Sequence, residues 1–147
     1  MLGKPGLFYF SALLAVIGAV GYQYFVKRVP PTISPIVSVL GIYLAVLLLT
    51  LVSLFIFPLE GGLKAQLRQL NYVQLAIAAA IYLLELGFLL MYRSGWNLST
   101  GNLVTGVIIN IILVVLGVLL LGEKITLINF IGIGLCLVGV AMISYTR

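Results

Sequence analysis

Glu85 is the residue with most to offer chemically. It sits inside Ala76–Met91, AIAAAIYLLELGFLLM, and no other acid lies deep in an apolar run. Placing a charged residue at the centre of a membrane-spanning helix costs about 2.5–3.5 kcal/mol on insertion scales for Asp, Lys or Arg. An acid kept at such a place faces a protein-lined cavity or takes up a proton. Tyr82 lies three residues before Glu85 and Tyr92 seven after, so all three fall on nearly one helical face. In the next apolar run Asn102, Gly106 and Asn110 share a face. Counting from the run ends puts Glu85 and Asn110 each within about one turn of the middle. A carboxylate, two phenols and an amide suit a cationic or hydrogen-bonding solute, with the rings adding cation–π contact. Proton release from Glu85 then competes with solute binding, the simplest coupling available. The structural alternative is that Glu85, protonated or hydrogen-bonded to Asn110, locks two helices together.

Other chemistry is thinly supplied. With no His, one Cys and three acids, the chain offers no nucleophile–base pair, metal cluster or phosphate-cradling loop. Gly61-Gly62 is too short to count, and Gly132-x-Gly134 lies in an apolar run with no strand before it. The expectation is a protein that is not an enzyme and holds no cofactor or metal. Cys136, the lone cysteine, cannot form a disulfide within the chain and reads as a small thiol in an apolar helix.

The elements that position these residues must be membrane helices. Of 147 residues, 63% are apolar and 7% charged, and mean hydropathy is +1.30. Soluble domains carry about 25% charged residues; here too few polar side chains exist to cover a surface facing water. The formal charge of +5 forms no basic patch. Its members stand at the ends of apolar runs, where they anchor helices in lipid, so no nucleic-acid partner is expected.

Five apolar runs follow one another, each near the roughly 20 residues that cross a bilayer core. They define an all-α fold and a single transmembrane domain over residues 1–147, with spans at roughly 5–26, 33–57, 72–92, 98–121 and 127–145. MLGKPGLFYF leads straight into the first span without an obvious small-residue cleavage site, so that span is expected to be retained. Val29-Pro30-Pro31 breaks the chain after span 1, and Pro58 stops span 2. In PLEGGLKAQLRQLN, the residues Leu59, Leu63, Leu67 and Leu70 share a face. That stretch is either a short interfacial helix or a solvated loop. Gly132, Cys136 and Gly139 line one face of span 5 and suit close helix packing, within the chain or across a dimer.

Five spans put the termini on opposite sides of the membrane. The N-terminal side receives Lys4, Lys64, Arg68 and Lys124; the other receives Lys27, Arg28, Arg93 and Arg147. Orientation follows a Lys/Arg imbalance, and these counts balance. Either the small numbers carry no meaning, or the chain inserts both ways and pairs with an inverted copy of itself. Transporters commonly flank a midplane site with two inverted repeats, and this chain is about one such repeat long.

The last third adds a pattern: small and polar residues lead into span 4, its apolar run ends in Leu121-Gly122-Glu123-Lys124, and INFIGIGLCLVGVAMIS follows. This resembles the end of an EamA-like five-helix unit of the drug/metabolite transporter superfamily. The likeness covers most of the chain in layout and about the last fifty residues in motif. It implies transport of a small polar, cationic or amphiphilic metabolite through a pathway made by two opposed five-helix units. Full-length members carry both units in one chain, so here the resemblance implies a second copy, an antiparallel homodimer in the cell membrane. The related small multidrug resistance proteins keep their essential Glu in the first span; this chain has its acid in span 3. Glu123 matches the Gly-Glu turn of the family, at a boundary that suits helix-end capping. The family also allows a non-transporting partner subunit of a heteromeric complex, such as a lipid-linked sugar flippase.

Overall fold

The computed structural model describes residues 4–57, 61–124 and 126–145. Among these the chain is helical: α1 (Lys4–Lys27), α2 (Pro35–Ile56), α3 (Leu63–Leu67), α4 (Tyr72–Arg93), α5 (Leu98–Leu121) and α6 (Leu127–Tyr145). Four stretches are long and apolar enough to cross a membrane: Gly6–Lys27, Pro35–Ile56, Tyr72–Arg93 and Leu98–Leu121; Leu127–Ile143 is a shorter apolar helix. The chain is therefore an all-helical, multi-pass integral membrane protein. Most large apolar side chains face outward, Phe55 and Leu120 being 91% and 74% exposed. Hydrocarbon is their natural solvent, because only helices or closed barrels satisfy their backbone there.

The helix ends follow local chemistry. Proline at the start of α2 occupies a first-turn position, where its missing N–H leaves no bond unmade. At the start of α4, Val73 N–H donates to Asn71 Oδ1 (2.8 Å) and Asn71 N–H donates to Gln74 Oε1 (2.9 Å), a reciprocal capping box. Gly122, at φ 67°, ends α5 in the left-handed region, and Glu123 N–H turns back onto the Gly117 carbonyl at 3.0 Å. Between α2 and α4 lies the short α3, whose Leu63 and Leu67 are exposed together with Leu70 just beyond. Pro58 and Leu59, which the sequence reading used here, lie outside the described residues.

The described chain forms two compact units. One holds α1 up to Tyr24 together with α5 and α6; the other runs from Phe25 to Ser94 and holds the end of α1, then α2, α3 and α4. In the first, α5 packs on α6; in the second, α2 packs on α4.

Candidate functional site

The second unit contains the buried polar group. Glu85, Leu89 and Tyr92 are the buried residues of α4. Their spacing of four and three residues places them on one face. Against that face stands α2, whose buried residue is Val39. Val39 and Leu89 are each 2% exposed and are the largest fully buried side chains. The pairing of α2 with α4 fixes what lies near the acid. One turn along α2 from Val39 comes Tyr43, and one turn back along α4 from Leu89 comes Glu85.

Glu85 is 7% exposed, the one buried charged side chain among the described residues. The Tyr43 hydroxyl lies within electrostatic reach of both Glu85 and Tyr82. Tyr43 Oη and Glu85 Oε2 are buried polar atoms, and the hydroxyl has no hydrogen-bond partner among the described residues. The other hydroxyls of α2 are spent on their own helix. Ser38 donates to the Ser34 carbonyl (3.2 Å), Thr50 to that of Val46 (2.8 Å) and Ser53 to that of Leu49 (2.8 Å). Tyr43 is thus the polar group α2 brings to the acid. Sequence reading missed it, and the signal available was the one phenol in the α2 run.

The candidate tyrosines on α4 differ. Tyr82 is 39% exposed, while Tyr92 is 5% exposed. Tyr92 stacks on Phe88 (ring centroids 6.1 Å apart, planes at 24°) and carries Lys27 Nζ over its ring at 5.3 Å from the centroid. The cation–π contact expected of a solute is met at Tyr92 by the chain's own ammonium. Next to it, Arg93 donates from Nη2 to the Pro30 carbonyl (3.3 Å) and to the Ile33 carbonyl, tying the end of α4 to the α1–α2 turn.

The remaining candidates belong to the other unit. Asn102 and Asn110 are exposed along α5, Gly132 and Gly139 half-buried along α6, and Cys136 exposed. Asn110, Gly132 and Cys136 border a groove of about 430 Å³ between α5 and α6, which Asn129 also lines. Asn102 borders a second groove of about 350 Å³ between α1 and α5, with Gln23 and Ser99. At the far end of α5, the Glu123 carboxylate lies where a Cβ on Gly117 would stand, 2.5 Å from its Oε2. Among the described residues no group of His, Cys, Asp and Glu could hold a metal ion.

A buried carboxyl beside a phenol, on helices otherwise facing lipid, can bind a proton or a cation and hold neither permanently. The model of the EamA-like transporter family matches residues 6–145. No curated protein and no solved structure gives a significant match.

Proposed function

We infer, from the premise that this chain belongs to the EamA-like transporter family, that it moves a small polar, cationic or amphiphilic metabolite across the cell membrane by alternating access. The observation that carries this reading is the burial of Glu85, 7% exposed, against α2. A carboxylate held from water attracts any cation that reaches it, because the low dielectric strengthens the charge interaction. Proton and cationic solute want the same oxygens. Binding of one therefore expels the other, and that exchange couples solute movement to a proton gradient. Tyr43 and Tyr82 supply phenols at the acid's flank, and Tyr92 holds the wall beyond it. One five-helix unit is half of the two-unit pathway that inverted repeats build around a midplane site. A second, inverted copy of the chain completes it.

Purified protein in liposomes, challenged with a lipophilic quaternary cation as probe, tests the reading. Wild-type protein is expected to accumulate the probe against an imposed pH gradient, and Glu85→Gln to abolish that accumulation while inserting normally. Unchanged accumulation in Glu85→Gln removes the acid from the mechanism. A chain that moves no solute alone and associates only with a different chain is a partner subunit instead.

A further inference from the structure

Three cations gather at one end of the second unit. Lys27 ends α1, Arg28 follows it, and Arg93 ends α4. Lys27 Nζ stands 5.3 Å from the centroid of the Tyr92 ring, one residue before Arg93. Arg93 in turn holds the Pro30 and Ile33 carbonyls through Nη2. Ring and carbonyls are neutral, so they fix the two cations in place without cancelling their charge. The Nε of the same guanidinium is buried and has no hydrogen-bond partner among the described residues. A buried donor of that kind calls for an acceptor.

No acid of the same copy can serve. The chain has three, Glu60, Glu85 and Glu123. Glu60 lies in the connection from α2 to α4, and Glu123 follows α5. Helices that cross the membrane in turn put both on the other side from Arg93. Glu85 stands eight residues before Arg93 on α4, about 12 Å along the axis. The count rests on chain order alone. Depth then names the acceptor. With 22 residues at a 1.5 Å rise, α4 is about 33 Å long against a hydrocarbon core of about 30 Å. Its last residue reaches the headgroup layer, where every phospholipid presents a phosphate. Guanidinium and ammonium groups hold phosphate oxygens by charge-assisted hydrogen bonds, and basic clusters at helix ends take anionic headgroups.

We propose that this end of the second unit binds the headgroup phosphate of an anionic phospholipid, held by Lys27, Arg28 and Arg93 at the Pro30-Pro31 corner. A net negative lipid is favoured over a zwitterionic one, whose headgroup would bring a further cation to the three already there. The site is independent of the transport reading.

Trp96, the single tryptophan, follows Arg93 by three residues and so lies within about 11 Å of it by chain length. The full chain in phosphatidylcholine bilayers is titrated with phosphatidylglycerol or phosphatidylcholine carrying brominated chains, which quench a tryptophan they touch. Brominated phosphatidylglycerol is expected to quench Trp96 at about tenfold lower mole fraction than brominated phosphatidylcholine. Lys27→Gln with Arg28→Gln is expected to bring that ratio below about twofold. Arg93→Lys keeps the charge but loses the fork, and is expected to lower the ratio about threefold. Lys64→Gln with Arg68→Gln removes as much charge from the other side of the membrane and is expected to leave the ratio unchanged. Equal quenching of the wild type by the two lipids overturns the site. Equal losses in the two double variants also overturn it, reducing the preference to bulk charge. A preference abolished by excess water-soluble glycerol phosphate would make the ligand a free phosphate and overturn the lipid.

Discussion

Gly117 makes room for Glu123. The carboxylate folds back over the last turns of α5 into space that a Cβ would fill, 2.5 Å from its Oε2, while the Glu123 N–H bonds the Gly117 carbonyl at 3.0 Å. The Gly-Glu turn that carries the family resemblance is thus a C-terminal lock on α5. Its two glycines do different work, and that is measurable. Gly122 needs its positive φ of 67°, which costs an L-residue about 1–2 kcal/mol. At Gly117 an added methyl meets only the far end of a flexible side chain, and alanine's helix propensity contributes about 1 kcal/mol the other way. Thermal unfolding in detergent is expected to rank Gly122→Ala well below wild type and Gly117→Ala beside it. The reverse order would remove the lock.

Transport of a cationic probe is expected to rise with pH as Glu85 ionises. Tyr43 lies within electrostatic reach of that carboxyl and of Tyr82. Glu85→Gln is expected to flatten the profile and lower transport at least about tenfold, equivalent to ~1.4 kcal/mol. A profile that keeps its slope in Glu85→Gln assigns the proton to another group.

Tyr43→Phe separates support from function. A buried hydroxyl without a hydrogen bond costs about 1–3 kcal/mol, so its removal is expected to leave the melting temperature unchanged or higher. If the phenol contacts solute, the same variant weakens probe affinity about three- to tenfold. A less stable protein with unchanged affinity would make Tyr43 a packing residue.

The grip of Arg93 on the Pro30 and Ile33 carbonyls is expected to stabilise the second unit. Hydrogen bonds from a charged donor contribute about 1.5–3 kcal/mol each. Arg93→Ala is expected to lower thermal stability by an amount in that range and to speed amide exchange in the α1–α2 turn. Arg93→Lys should recover only part, because an ammonium lacks the planar fork that reaches two carbonyls at once. Equal exchange in wild type and Arg93→Ala would show the grip to be dispensable.

The helices were largely written in the sequence, and the neighbours of the acid were not. Apolar runs, the prolines ahead of α2, Asn71 with Gln74, and Gly122 each act within a few residues, so local chemistry alone sets where α2, α4 and α5 begin or end. An acid in an apolar run points to a protein-lined cavity or to a bound proton, and its burial against α2 is what the fold adds. Tyr43 could not be found this way, because its approach to Glu85 depends on α2 packing against α4. Lys27 over Tyr92 has the same origin: two residues far apart in the chain meet only once the helices associate. The polar stretch after α2 was undecided between helix and loop because its leucines fit one helical face while its glycines break it. The five-residue α3 flanked by turns answers to both.

A Pro30-Pro31 corner looks like a joint, and in the alternating-access cycle proposed above a joint there would let α2 swing away from its neighbour. Arg93 acts instead as a rivet through that corner. With the corner fastened to the far end of α4, the carboxyl of Glu85 and the phenol of Tyr43 ride as passengers on one stiff plate. In the cycle proposed above, any rocking that exposes the acid carries both together.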